Sequence, residues 1–361
     1  MLLLATSGSK RVRLMQAARA QLRRPPAQVL EWRDWLAQPT LLEDALRRPC
    51  LFKIEPPGDD PAAHLRLLHD GCRQLDRAPV HAPEHGELLA MDAWFAGFAS
   101  AMASLAAQLA CLPQTRVFNT PAEICLMTDK LACQRHLAAH GVAIPSLLGP
   151  VHGYEHLQSL LHEHQLDRVY LKPRYGSSAS GVVAYRRSKA GRQQATTSAT
   201  LHRTEGATRL MNSKRMARYE SEHDIAALVD ALAAQELYAE TWLNKPRCGD
   251  GHYDLRVVTL AGQPAHRVAR IGDQMMTNLH LDNRRGDASG LLNAADLAAL
   301  EAASAQAARA FPHSHVTGYD LVVRHGHAHV LEANAFGDLL PGLLWQGADT
   351  YAAQLTQLPH V

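Results

Sequence analysis

The segment from Lys172 to Gly181 combines a lysine with a loop of small residues, a combination that could bind phosphate. Four small residues lie between Gly176 and Gly181. Small side chains leave backbone N–H groups free to surround an anion, and the preceding lysine adds a positive charge. The segment is not a P-loop, because GxxxxGK[ST] is absent and the apolar run from Val182 to Tyr185 predicts a strand where a P-loop leads into a helix. A mobile hairpin without a ligand is the alternative interpretation.

Asp320, Glu332 and Asn334 form a candidate metal site. Glu332 and Asn334 are two residues apart, so they share one face of a predicted strand, and Asp320 lies on the partner strand of a hairpin whose turn is near Gly326. The flanking residues are apolar, and burying two carboxylates is costly unless a cation neutralises them. Mg²⁺ prefers such oxygen ligands and shares its remaining positions with water and phosphate. A half-exposed strand with a polar face is the alternative.

A third cluster contains basic side chains. Asp254 and Arg256 are two residues apart, so that an aspartate could orient Arg256, and Arg267 and Arg270 follow, before a polar loop at 278–286. Several guanidinium groups in one region suit a phosphate under transfer or a substrate carboxylate. A surface patch of salt bridges is the alternative.

Composition and charge limit the possible function classes. The 361 residues carry 37 Lys and Arg against 35 Asp and Glu, a net charge of +2, so the chain is no polycation suited to nucleic acid or an anionic membrane. The six cysteines form no CxxC pair, which favours reduced thiols and the cytoplasm. No run approaches about 18 consecutive apolar residues, the length of a membrane span. We therefore expect a folded protein of two or three domains with no nucleic-acid or membrane partner.

The elements that must position these residues alternate between strand and helix, which predicts an α/β fold. A strand from Leu2, a helix to Leu22 and a strand from Val29 form a β-α-β start, and an Ala-, Met- and Leu-rich helical region closes a first domain near residue 112. A helix follows Pro121, and a short strand is expected at 142–145. The polar residues 188–221 suit exposed β-structure or a mobile excursion. Ala-rich helices could support a homo-oligomer.

Seven short motifs follow one another between residues 119 and 342. They are Asn119-Thr120-Pro121, Asp129-Lys130-Leu131, Gly141-Val142-Ala143-Ile144-Pro145, the 172–181 loop, Glu240-Thr241-Trp242-Leu243, Asp254-Leu255-Arg256, and Asp320 with Glu332-Ala333-Asn334. In this order the sequence resembles the ATP-grasp superfamily, and more specifically its branch containing glutathione synthetase and the ribosomal-protein glutamate ligase. Residues 1–112 match only loosely the Rossmann-like domain that precedes the grasp in that superfamily.

The resemblance implies two α+β lobes, at 113–237 and 238–361, after a Rossmann-like domain at 1–112. It implies ATP-dependent ligation of a carboxylate to an amine through an acyl phosphate, with release of ADP and phosphate. The carboxylate and amine could belong to a small molecule, a peptide or a protein. Phosphorylation of a hydroxyl by an ATP-grasp kinase is one alternative, and a non-catalytic nucleotide-binding module is another.

The resemblance also assigns roles to residues. It gives ATP binding to Lys130, Lys172 and the loop residues Gly176, Ser177, Ser178 and Gly181, and adenine binding to the hinge Glu240, Thr241, Trp242 and Leu243. It gives two Mg²⁺ ions, or Mn²⁺, to Asp320, Glu332 and Asn334, and contact with the transferred phosphate to Arg256 and Arg270. It gives substrate binding to Asn278, His280 and Arg285.

Two departures from the family pattern affect these assignments. Relatives often carry an acidic residue for the ribose about seven positions after the hinge glutamate, but this chain has Arg247 there, leaving Asp250 as a displaced candidate. The family loop Asn-x-His-Arg-Gly-Gly is split by an insertion at 281–284, which predicts a different acceptor or donor.

Overall fold

Three β-sheets organise the chain in a computed structural model that describes residues 1–176, 179–204, 207–273, 276–277 and 283–358. The first sheet is parallel with the order β2-β1-β3-β4. Its strands are β1 (Leu2–Ala5), β2 (Gln28–Glu31), β3 (Cys50–Ile54) and β4 (Thr115–Val117). All four residues of β1 are apolar and buried, as a strand covered on both faces requires. The β-α-β start is therefore confirmed.

Five α-helices accompany this sheet. They are α1 (Lys10–Gln21), α2 (Trp32–Ala37), α3 (Leu41–Ala45), α4 (Pro61–Gln74) and α5 (Met91–Ala110), with a 3₁₀ turn at Pro57–Asp59 before α4. Ser9 caps α1 by accepting a hydrogen bond from the Val12 N–H, which explains why that helix starts directly after the serine-glycine turn.

Helix α5 packs so closely on α4 that two glycines are required. A Cβ atom at Gly71 would lie 1.6 Å from the Ala93 carbonyl oxygen, and one at Gly97 would lie 1.9 Å from that of Leu67. Within the described chain, α5 is the one helix long and apolar enough to cross a membrane by length and composition, although its sequence contains no unbroken apolar run of that length. Length and composition of this kind also occur in a helix packed within a protein core.

The second sheet is antiparallel and has the order β5-β10-β6-β7-β8-β9. Its strands are β5 (Leu147–Val151), β6 (Arg168–Pro173), β7 (Val183–Arg187), β8 (Gln193–Thr204), β9 (Ala207–Tyr219) and β10 (Leu237–Thr241). The helices α8 (Tyr154–Glu163) and α9 (Glu222–Ala233) pack on this sheet, whereas α6 (Pro121–Thr128) and α7 (Lys130–Ala139) precede it in the chain and contact the third sheet. Leucines of α8 and α9 fill the core beneath this sheet.

Two local expectations can be compared with this sheet. The polar stretch at 188–221 is β-structure, since β8 and β9 form a long hairpin within it. The expected strand at 142–145 is wrong: that segment is an extended connection, and strand pairing begins at Leu147. The Ala143 carbonyl instead accepts a hydrogen bond from Val330 of the third sheet, and Pro145 has no N–H to donate to a ladder.

The third sheet is also antiparallel, with the order β14-β13-β12-β15-β16 and β11 paired to β12. Its strands are β11 (Arg247–Cys248), β12 (Gly251–Leu260), β13 (Gln263–Gly272), β14 (Arg284–Gly286), β15 (Val316–Arg324) and β16 (His327–Asn334). The remaining helices are α10 (Ala288–Leu291), α11 (Ala294–Arg309) and α12 (Thr350–Thr356). The predicted hairpin is confirmed as β15 and β16, with Gly326 at φ +76° in its turn.

The predicted domain boundaries can be placed on these elements. β4 belongs to the first sheet although it follows residue 112, and the boundary at 237/238 falls inside β10. The boundaries themselves stay a prediction.

Candidate active site

A cleft between the second and third sheets brings most of the predicted residues together. It spans about 870 Å³, its open mouth included. The predicted residues that line it are Lys130, Lys172, Glu240, Thr241, Leu243, Arg270, Asp320 and Glu332. Charged groups from α7, β6, β10, β13, β15 and β16 therefore meet in one place, although they are far apart in sequence.

Lys172, which is partly buried, and the buried Glu240 form an ion pair in this cleft. They lie on the adjacent strands β6 and β10, and the Lys172 Nζ is 2.5 Å from the Glu240 Oε1. Burial raises the pKa of Glu240, and the charge of Lys172 opposes that shift. The second oxygen of Glu240, Oε2, is buried without a hydrogen-bond partner within the described chain. The Glu240 side chain thus holds Lys172, a role that the sequence interpretation did not include.

Lys130 is paired in the same way with Glu332 of β16. Lys130 is the first residue of α7, and Asp129 fixes that position by accepting a hydrogen bond from the Ala132 N–H. Arg174 holds Asp129 in turn through two hydrogen bonds, of 2.8 and 2.7 Å. The Asp129 and Arg174 pair escaped the sequence analysis, because nothing in the spacing of the two residues indicates that they meet.

The third sheet carries a row of charged residues in cross-strand register. Arg256 on β12 lies opposite Asp320 on β15, and Asp320 lies opposite Glu332 on β16. The Arg256 guanidinium donates hydrogen bonds to both Asp320 oxygens and a further one, of 2.8 Å, to Asp338. Although burial by itself raises the pKa of Asp320, Arg256 and Arg270 outweigh it and hold that pKa below the ordinary value.

Arg270 joins this row to a second aspartate. It lies opposite Asp254, donates a 2.7 Å hydrogen bond to it, and lies 3.0 Å from an oxygen of Asp320. The buried Lys245 binds the other Asp254 oxygen at 2.9 Å. The spacing in the sequence suggested that Asp254 orients Arg256. In the structure Asp254 orients Arg270 instead, because strand register places Arg256 beside Asp320. Lys245 and Asp338 belong to no motif and were missed.

The other predicted residues either do not line this cleft or fall outside the described part of the chain. Arg256 and Asn334 lie on β12 and β16 but do not line the cleft among the described residues. Gly176 and Gly181 have positive φ angles, +141° and +72°, which favour glycine. Ser177, Ser178, Asn278 and His280 fall outside the described residues.

Arg285 and Trp242 are described but do not line the cleft. Arg285 lies on β14 opposite Arg270, is exposed, and donates a 2.8 Å hydrogen bond to the Pro341 carbonyl. Trp242 stacks on Tyr170 with ring centroids 4.6 Å apart. Neither the substrate role of Arg285 nor the adenine role of Trp242 is tested by these positions, and both stay predictions.

Comparison with solved structures finds proteins of similar fold. The D-cycloserine synthetase DcsG superposes with a TM-score of 0.56 at 16% identity, over 99% of this chain and 98% of that one. The ATP-grasp ligase PsnB in complex with a minimal precursor gives 0.54 at 13% identity, over 99% of both chains. The D-alanine–D-alanine ligase of Bacillus anthracis gives 0.50 at 11% identity, over 99% and 94%.

The chain has the ATP-grasp fold. No protein-family profile and no curated protein matches the sequence, so the likeness shows the fold alone. The expected fold class, with a Rossmann-like domain ahead of two ATP-grasp lobes, is confirmed.

The oxygen donors on β15 and β16 suit a hard divalent cation. Asp320 and Glu332 are register partners, and the Asn334 amide nitrogen donates to the Gly318 carbonyl at 3.3 Å, which leaves its oxygen as a potential ligand. Two carboxylates and an amide oxygen match the ligand preference of Mg²⁺. Within the described chain no group of three His, Cys, Asp or Glu side chains could hold a metal, so the candidate site depends on Asn334 as its third ligand.

The structure also describes residues at the two departures from the family pattern, Arg247 with Asp250 and the insertion at 281–284. Arg247 is exposed on β11, and Asp250 is exposed in the turn between β11 and β12. Asp250 does not line the cleft among the described residues. Of the insertion at 281–284, Asn283 and Arg284 are described: the Asn283 amide donates a 2.9 Å hydrogen bond to the Met276 carbonyl, and Arg284 begins the edge strand β14.

Proposed function

We propose that this chain is an ATP- and Mg²⁺-dependent ligase that joins a carboxylate to an amine. The observation that carries the proposal is the convergence of Lys130 and Lys172 on one cleft with Arg270, Asp320 and Glu332 of the third sheet. A substrate carboxylate and a triphosphate repel each other, so a ligase needs several cationic groups where the two meet. Ligases among the solved structures of the same fold support this assignment.

The proposed reaction has two steps. A carboxylate oxygen attacks the γ-phosphorus of ATP, and the bond from that phosphorus to the bridging oxygen breaks, leaving ADP and an acyl phosphate. The amine nitrogen then attacks the acyl carbon, the bond from that carbon to the phosphate oxygen breaks, and the nitrogen loses a proton. The products are an amide, ADP and phosphate.

Different residues of the chain would bind the phosphates, the adenine and the transferred phosphoryl group. Lys130 and Lys172 exchange their carboxylate partners for phosphate oxygens, and the hinge backbone from Glu240 to Leu243 holds the adenine edge. Arg256 and Arg270, each held by an aspartate, contact the transferred phosphoryl group. Bound Mg²⁺, held by Asp320, Glu332 and Asn334, would neutralise charge on the β- and γ-phosphates.

The remaining parts of the proposal concern the surroundings of this site. The segment from Gly176 to Gly181 would cover the phosphates and exclude water from the acyl phosphate. The substrate role stays with Asn278, His280 and Arg285. All six cysteines are free thiols, which supports placing the protein in the cytoplasm.

The nucleotide products test the proposal. With ATP, Mg²⁺ and a panel of carboxylates and amines, the productive pair should stimulate release of ADP and phosphate and form an amide. Release of AMP and pyrophosphate would rule out acyl-phosphate chemistry. A stable phosphorylated hydroxyl product would identify a kinase instead.

A further inference from the structure

A second groove, beside the ATP-grasp cleft, is lined by arginines from both lobes. It spans about 1620 Å³, its open mouth included. The arginines are Arg168, Arg186, Arg218, Arg247 and Arg324, from β6, β7, β9, β11 and β15. We call this surface the arginine groove. Among the described residues it shares only Lys245 and Met276 with the lining of the cleft, so it is a separate surface that borders on the proposed active site.

The arginine groove has a surplus of positive charge. No Asp or Glu is found among its described lining residues. Arg186 donates to the neutral Gln194 at 2.7 Å. Among the groove arginines only Arg168 and Arg218 form ion pairs within the described chain, so Arg247 and Arg324 form none there. Since the whole chain carries a net charge of only +2, this concentration of cations is local to the groove.

Acidic neighbours compensate two of the arginines at the rim. Arg218 lies 2.5 Å from Glu220, and Arg168 lies 4.0 Å from Asp167. All four side chains are exposed, and such pairs are worth little in water. Lys245 is not part of the surplus, because it is buried against Asp254.

We propose that the arginine groove binds an acidic peptide segment of the substrate and holds it next to the cleft. The proposal rests on the proposed ligase function, since it names the class of substrate that would present its carboxylate there. Guanidinium groups bind carboxylates through paired, charge-assisted hydrogen bonds. A peptide with several Asp or Glu residues supplies such groups at intervals along an extended chain, which matches arginines distributed over five strands.

The apolar residues that line the groove favour a peptide over a nucleic acid. Met216, Met276 and Pro246 line it, and flexible thioether side chains adapt to varied side-chain methylenes. Single-stranded nucleic acids instead need aromatic side chains on which bases can stack. The groove tryptophan, Trp242, is already stacked on Tyr170, and its indole is only partly exposed.

The proposal also accounts for a departure in the sequence. Arg247 stands where ATP-grasp relatives often carry an acidic residue for the ribose. In this chain it lies on β11 and lines the groove with the four arginines of the other strands. A cation at this position suits an acidic segment that extends from the groove toward the cleft.

Binding of defined peptides tests the proposal without turnover. A fluorescent hexaglutamate peptide should bind the full chain at low ionic strength, and hexaglutamine should not. The triple variant R186Q/R247Q/R324Q should bind hexaglutamate at least about tenfold more weakly, because it removes three of the five groove cations. The charge-matched control R23Q/R48Q/R309Q changes three arginines that are exposed elsewhere and should bind as the wild type does.

Three outcomes of the hexaglutamate measurements would overturn the proposal. They are equal hexaglutamate affinity in wild type and groove variant, failure of the wild type to prefer hexaglutamate over hexaglutamine, and equal loss in the control variant. Tighter binding of a single-stranded hexanucleotide that the groove variant loses would assign the groove to nucleic acid instead. Thermal melting of both triple variants should match the wild type, so that a loss of binding reports the groove and not the fold.

This experiment separates the groove from the ligase chemistry. If hexaglutamate binds as expected but no carboxylate and amine pair stimulates ADP release, the proposed function fails and the groove stands as an acidic-peptide site. If small carboxylates stimulate ADP release while hexaglutamate does not bind, the ligase stands and the groove proposal fails.

Discussion

Arg256 and Asp320 face each other across β12 and β15, and both oxygens of the Asp320 carboxylate accept hydrogen bonds from the Arg256 guanidinium. Arg270 reaches the same carboxylate at 3.0 Å. An aspartate predicted to bind metal therefore fixes both arginines predicted to contact phosphate. The three side chains act as one buried unit, and a change to any of them affects the other two.

Substituting Asp320 by asparagine should destabilise the protein strongly. The change leaves two buried guanidinium groups with a neutral neighbour, and breaking a buried pair in this way costs about 3 kcal/mol. Urea unfolding should show that loss. The control Glu301→Gln removes the exposed partner of Arg267 and should change the free energy of unfolding by less than about 0.5 kcal/mol. Equal effects of the two variants would contradict the role given to Asp320.

Substituting Lys172 by alanine should lower the rate of ADP release at least about tenfold with the fold intact, because it removes a positive charge from the developing phosphoryl transition state. Circular dichroism checks the fold. Lys10→Ala, at an exposed residue of α1, should leave the rate unchanged. Near-normal turnover in Lys172→Ala would show that the lysine does not serve the phosphates.

Substituting Glu332 by alanine should raise the Mg²⁺ concentration needed for half-maximal binding of a non-hydrolysable ATP analogue by about tenfold or more. The variant removes one of the two carboxylates in the proposed ligand set. Titration of Mg²⁺ at fixed analogue concentration measures the shift. Glu163→Ala, at the exposed end of α8, is the matched control. An unchanged Mg²⁺ requirement in Glu332→Ala would remove that residue from the site.

The pairing of Glu87 with Arg209 should make stability depend on pH. Hydrogen bonds from Arg209 lower the pKa of Glu87 from 4.5 to about 2, and the pair ties residues 84–88 to the β8–β9 hairpin. A depressed carboxyl pKa stabilises the folded state above the unfolded pKa, and this contribution is lost as pH falls toward the folded one. The wild type should therefore have a higher free energy of unfolding than Glu87→Gln. This difference should be constant above about pH 5 and should become smaller below about pH 4.5. Urea unfolding at several pH values measures the difference in free energy of unfolding. A difference that does not depend on pH would exclude the ion pair as its source.

Local sequence predicted the elements that carry the site better than it predicted their partners. The β15–β16 hairpin was predictable, because its turn glycine and apolar flanks are close in sequence. The start of α7 at Lys130 was predictable from Asp129, a residue type that caps helices. These features depend on neighbours along the chain.

The ion pairs were less predictable, because strand register decides them. Asp254 and Arg256 are neighbours on one strand, yet each finds its partner on another strand. The pairing of Lys245 with Asp254 depends on a loop that no motif marks. The expected strand at 142–145 failed for a related reason, since that segment bonds to β16 through a single carbonyl instead of a ladder.

The ion pair of Lys130 with Glu332 has a thermodynamic consequence. Under the proposed roles, Lys130 binds phosphate and Glu332 binds the cation. A ligand that binds either side chain therefore breaks the ion pair and frees the other side chain. The nucleotide and the metal would then bind with positive heterotropic cooperativity, each raising the affinity for the other by the same factor. In the absence of both, the two opposite charges cancel each other.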